Sequence, residues 1–161
     1  MFKEVHIKLV PGKTRLSNEL VDTPQKAIAI LGSLIKDMNK ECVGVINLDT
    51  KLKPINFSIV STGTIDQTYC DCKEIFKTTL LSNANRIILM HNHPSGSLEP
   101  SRMDENTTDH IKKASNILGI ELLDHIIVAY DRYEAYSFSS NKVFQFERMD
   151  HVLEQEDEFE L

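Results

Sequence analysis

His91 and His93 stand one residue apart, followed by Pro94, Ser101 and Asp104, so two imidazoles, a hydroxyl and a carboxylate fall within fourteen residues. That set is sufficient for a hydrolytic metal site. The preceding run Arg86-Ile87-Ile88-Leu89-Met90 reads as a short buried strand, so the histidines are expected where that strand runs out into a loop. In extended backbone residues i and i+2 face the same side, so His91 and His93 can converge on one ion while Asn92 points away. Pro100-Ser101, with Asp104 three residues on, predicts a helix start with Ser101 as N-cap and Asp104 in the first turn, near the exposed amides. A helix beginning there aims Asp104 back at the histidines.

Three protein ligands with a fourth position open is the pattern of a catalytic zinc, whereas structural zinc closes its shell with four protein ligands, usually including cysteine. No cysteine lies near the motif. A zinc ion lowers the pKa of bound water to about 7 and polarises a carbonyl under attack, which leaves a proton acceptor to be found. That acceptor must be a carboxylate that is not itself a ligand. Glu41 is the candidate, at the mouth of the apolar run Cys42-Val43-Gly44-Val45-Ile46-Asn47-Leu48, with Glu99 and Glu105 as competitors flanking the motif. Ser101 can serve as an oxyanion donor or as a helix cap only. The plainer alternative for the histidines is hydrogen bonding to loop backbone.

His91-x-His93-Pro94, six residues, then Ser101-x-x-Asp104 resembles the JAMM (MPN+) metalloprotease signature. The longer text HNHPSGSLEPSRMD, with LGIELLDHIIVA further on, resembles the RadC-like branch of that family, and the similarity runs from about Met38 to Phe138. The resemblance implies a single α/β domain of deaminase-like fold, a central mixed sheet flanked by helices. It also implies one zinc ion per chain on His91, His93 and Asp104, with the family's serine at Ser101 and its glutamate at Glu41. Relatives of this kind cleave peptide or isopeptide bonds, so the implied partner is a peptide or protein substrate. Asp124-His125 belongs to the same text and is either a pair supporting the ligands from behind or a structural hydrogen bond.

The remaining residues must position this set. Val5, Ile7 and Leu9 alternate as a first strand ended by Pro11-Gly12. Thr23-Pro24 has the signature of a helix start, with Ala27, Ile28, Leu31, Leu34, Ile35 and Met38 on one face. Strands are expected over about 42 to 49 and 54 to 61, joined through Asp49-Thr50-Lys51. A short amphipathic helix carries Ile75, Phe76, Thr79 and Leu80. Beyond the motif, a helix over 102 to 118 packs through Thr107, Ile111, Ala114 and Leu118 and ends at Gly119. A hairpin of Leu122 to Ala129 and Tyr133 to Phe138 completes the sheet.

With 161 residues, 41% hydrophobic and 26% charged, the chain suits one soluble domain. We assign residues 1–145 to that domain and 146–161 to an acidic tail, a solvated helix or disordered; Phe144, Phe146, Val152, Leu153 and Phe159 could alternatively meet a partner. No apolar run reaches the ~20 residues that cross a bilayer, and MFKEVHIKLV lacks a signal-peptide core, so no membrane is expected and the cytoplasm is the default compartment. Three cysteines without a CxxC pair fit a reducing environment, as structural or surface thiols.

From Glu147 onward there are seven acidic residues and one arginine, leaving 17 acidic against 17 basic residues in the body. Nucleic-acid affinity rests on cations that neutralise phosphates, so a neutral body with an acidic end argues against it, and with it against a DNA-repair accessory role. A zinc deaminase would need HxE and PCxxC elements, neither of which is present. A non-catalytic MPN-type scaffold is the other alternative. Oligomeric state is left open by the sequence.

Overall fold

The computed structural model of the chain describes residues 3–12, 19–63 and 71–147. Strands β1 (Cys42–Leu48) and β2 (Pro54–Thr62) form an antiparallel hairpin whose turn is held by Asp49, the carboxylate accepting from the amides of Lys51 and Lys53. With β3 (Arg86–His93), β4 (Glu121–Ala129), β5 (Glu134–Ser137) and β6 (Lys142–Gln145) they build a mixed sheet in the order β2-β1-β3-β4-β5-β6. Only β3 and β4 run parallel. A parallel pair needs a long crossover, and the segment between them supplies it. Every residue of β1 is buried, which explains why that segment is a continuous apolar run rather than an alternation.

Helices cover both faces. On one face a helix begins at Thr23, whose hydroxyl accepts from the amide of Lys26, and runs as α1 (Pro24–Ala27), a π-helical turn (Ile28–Gly32) and α2 (Ser33–Ile35). Ala27, Ile28, Leu31 and Ile35 pack there on Ile46, Leu48, Ile88, Met90, Ile126 and Val128. Gly44 lets this helix approach β1: a Cβ at that position would lie 2.7 Å from Leu31 Cδ2, closer than packed carbons allow. The opposite face carries α3 (Cys72–Leu81) and α4 (Arg102–Leu118), with Ile75, Phe76 and Ile111 against Val43, Val45, Ile87 and Leu89. The result is the α/β sandwich expected from the sequence, a central mixed sheet between helical layers.

Four details differ from that expectation. Residues 3–12 form no strand; Val5 and Ile7 are 78% and 74% exposed, because an alternating segment becomes a strand only when a neighbour satisfies its backbone, and it has none among the described residues. The strand expected to stop at Met90 continues through His93, since β4 is long enough to pair His91 with Ile127 and His93 with Ala129. Phe146 is buried and Phe144 partly so, both against the α1–α2 cluster, so these two belong to the core and not to an exposed tail. Phe144 lies on β6, just ahead of Phe146, and this strand pairs with β5 and has no counterpart in the expected elements. Residues 148–161, Cys70 and the rest of the tail lie outside the described residues. Cys42 is a buried thiol and Cys72 a half-buried one. Among the described residues no helix is long and apolar enough to cross a membrane.

Candidate metal centre

His91 and His93 project from β3 onto the α4 side of the sheet, the face they share with Ile87 and Leu89 by the two-residue period of the strand. Asp104 meets them from the first turn of α4. Its Oδ1 lies 3.1 Å from His91 Nε2 and its Oδ2 3.4 Å from His93 Nε2, while the two Nε2 atoms are 2.9 Å apart. All three side chains are buried, and one ligand atom from each lies within 4.8 Å of the others. The carboxylate is aimed by a capping box: Asp104 Oδ2 accepts from the Ser101 amide (2.8 Å) and hydroxyl (2.7 Å), and Ser101 Oγ accepts from the Asp104 amide (3.1 Å). The cap is therefore part of the site, since it sets the direction of a side chain that points into it.

The donor set fits a cation. His93 Nδ1–H donates to the Ser97 carbonyl at 2.9 Å, which leaves the Nε2 lone pair facing the cluster. His91 Nε2, His93 Nε2 and the Asp104 carboxylate converge at this distance, and a buried His-His-Asp group of this geometry can bind a metal ion. The electrostatics agree. Burial works to raise the Asp104 pKa, but the His91 and His93 imidazoles beside it hold this carboxyl far below the usual carboxylate range. Burial works to lower His93, yet Asp104 and the Ser97 carbonyl hold it above the ordinary imidazole value, with Glu41 contributing.

Glu41 reaches the same place through the sheet. β1 and β3 pair in antiparallel register with Val43 opposite His91, and Glu41 stands one residue before β1 begins. Its charge is felt at His93, and it lines an open cleft of about 460 Å³ together with Asn39, Lys40, Gly63, Pro94 and Ser95. Glu99 and Glu105 are exposed and do not line that cleft. Asn92 does point away from the histidines, but with a task the sequence did not reveal. Its Oδ1 accepts from the Cys42 amide (2.6 Å) and its Nδ2 donates to the carbonyls of Met38 (3.2 Å) and Lys40 (3.1 Å), so one buried carboxamide ties both sides of Glu41 to β3.

The Asp124-His125 pair divides. Asp124 is structural, accepting from Ser137 Oγ, the Ser139 amide and the His125 amide at 2.6–2.9 Å. His125 turns the other way, its Nε2 2.7 Å from His91 Nδ1 and its ring stacked on Phe138 at 4.7 Å. Burial, then the neighbouring His91 imidazole, pushes its pKa well below the ordinary imidazole value. Asp109 and His110 are exposed on α4.

The parallel β3–β4 pair joined through α4, with a His-x-His/Asp cluster that could bind a metal ion, belongs to a domain of JAB type. The chain belongs to the RadC-like JAB domain family, whose model matches residues 21–143. Among similar curated proteins, the UPF0758 protein of Coprothermobacter proteolyticus is 39% identical over 139 residues, covering 81% of this chain and 59% of that protein. The UPF0758 protein of Thermotoga maritima is 37% identical over 147 residues, covering 84% and 64%. That of Clostridioides difficile is 40% identical over 109 residues, covering 68% and 46%. The chain thus spans about half to just under two thirds of the length of these relatives.

Proposed function

We propose that this domain is a zinc-dependent hydrolase of peptide or isopeptide bonds, acting on a peptide or protein substrate that lies in the cleft beside Glu41. The observation that carries this reading is the convergence of two imidazole nitrogens and one carboxylate, next to an open cleft lined by Glu41 and by Pro94, the residue that follows His93. His91, His93 and Asp104 would hold the ion, which supplies Lewis acidity and an acidified water at neutral pH. Glu41 takes the proton from the attacking water on its carboxylate and returns it to the leaving amine. Three neutral or singly charged ligands leave the site one ligand short of a closed structural zinc, in keeping with catalysis.

The test is cleavage of peptide and isopeptide libraries by zinc-loaded protein, abolished by a chelator and restored by zinc. Cleavage that survives complete metal removal contradicts the reading. Stoichiometric zinc with no hydrolysis of any amide substrate makes the domain a non-catalytic module instead.

Ser101 is assigned the donor that meets the developing oxyanion. Its hydroxyl proton is held by Asp104 Oδ2 at 2.7 Å, so this role requires exchanging that bond during the reaction. Loss of one oxyanion donor costs roughly 2.7–4 kcal/mol in the barrier, about 10²–10³ in rate. Ser101→Ala is therefore expected to lower kcat by that factor while zinc stays bound, and to cost about 1 kcal/mol of stability as a lost cap. Wild-type kcat with only the stability loss would reduce Ser101 to its capping role.

A further inference from the structure

Behind His91 runs a chain of hydrogen bonds whose direction follows from its last member. Thr108 Oγ1 lies 2.7 Å from the Asp104 carbonyl oxygen, and a carbonyl only accepts, so the threonine proton points there. The same oxygen is 2.6 Å from His125 Nδ1, and with its own proton spent it must accept, which places a proton on His125 Nδ1. A neutral imidazole carries one proton, so His125 Nε2 is bare and accepts from His91 Nδ1–H at 2.7 Å. His91 then has its lone pair on Nε2, the atom 3.1 Å from Asp104 Oδ1. The path leaves one ligand through its backbone and returns to that ligand's own side chain through another.

From this we propose that His125 and Thr108 are positioning residues that fix the tautomer and ring orientation of His91, using the backbone carbonyl of Asp104 as the reference. The inference rests on the metal-site reading above and adds to it which residues make His91 a competent ligand. Each link is buried or partly buried, so water does not readily replace a missing partner. Partners of this kind typically alter metal affinity by about 10–100-fold when removed, because they set both the direction and the basicity of the ligand nitrogen. A threonine bonded to the carbonyl four residues back is common in helices and by itself means little. The second bond, to a buried histidine that touches a ligand, distinguishes Thr108.

The variants separate hydrogen bonding from packing. His125→Phe keeps an aromatic ring against Phe138 but offers no acceptor to His91; Thr108→Val keeps the shape of the side chain and removes the hydroxyl; Thr108→Ser restores it. Zinc affinity by chelator competition is expected to fall about 10–100-fold for His125→Phe and Thr108→Val, and to return to the wild-type value for Thr108→Ser. In the metal-free proteins, imidazole nitrogen chemical shifts should report His91 as the Nδ1–H tautomer in the wild type and as a mixture in Thr108→Val. Wild-type affinity and an unchanged His91 tautomer in folded Thr108→Val would overturn the proposal, and this variant decides the matter even if His125→Phe does not fold. A wild-type protein that binds no zinc would refute the metal reading, while the tautomer measurement would still decide the relay.

Discussion

Glu41→Gln is expected to fold, to retain its zinc, and to hydrolyse amide substrates about 10²–10⁴-fold more slowly than the wild type, the usual share of general acid–base catalysis. The amide has nearly the shape of the carboxylate but cannot accept the water's proton at neutral pH. Because the β1–β3 register and Asn92 place residue 41 through backbone contacts, exchanging its side chain should leave its position unchanged. Steady-state kcat together with metal stoichiometry checks the prediction. Near-wild-type turnover would move the role to Glu99 or Glu105. Loss of zinc would make Glu41 a ligand.

What could be seen beforehand follows the range of the interactions involved. The strands and helices that carry strong periodicity were legible because an apolar face is written in consecutive residues: Ile75, Phe76 and Thr79 on α3, or Thr107 and Ile111 on α4. The His91, His93 and Asp104 set was legible for the same reason, since strand alternation and a helix cap are local rules. Glu41 could be named as a candidate, but its nearness to His93 could not be read, because it depends on the pairing of segments about fifty residues apart in sequence. The Asn92 carboxamide and the His125–Thr108 link are equally non-local, and nothing in their spacing announces them. A local rule also misled: Val5, Ile7 and Leu9 alternate as a strand should, but alternation is necessary and a partner is what makes the ladder. Conversely β6 has four residues, mostly exposed and at the sheet edge, and so leaves almost no pattern to read.

Removing any one ligand should have the largest effect of all. His91→Ala, His93→Ala and Asp104→Ala are each expected to lose stoichiometric zinc and, with it, hydrolysis, because two remaining donors cannot hold an ion in a shell that already leaves one position open. The consequence extends to stability through linkage. An ion that binds only the folded state at 100 times its Kd stabilises by about 2.7 kcal/mol, worth about 5–11 °C in Tm for a domain of this size. The wild type should therefore melt higher with added zinc, and the three variants should not. The metal-free variants should still fold, since the cluster lies at the C-terminal end of the central strand β3, in a sheet whose core of Val45, Ile46, Leu89 and Ile126 is complete without it. Asp104→Ala should be the least stable of the three, because the carboxylate also accepts from the amide and hydroxyl of Ser101, and its loss breaks one half of the capping box at the start of α4. Metal analysis and paired thermal melts decide the matter: zinc retained in all three variants, with a Tm that still rises on adding zinc, would place the ion elsewhere in the molecule.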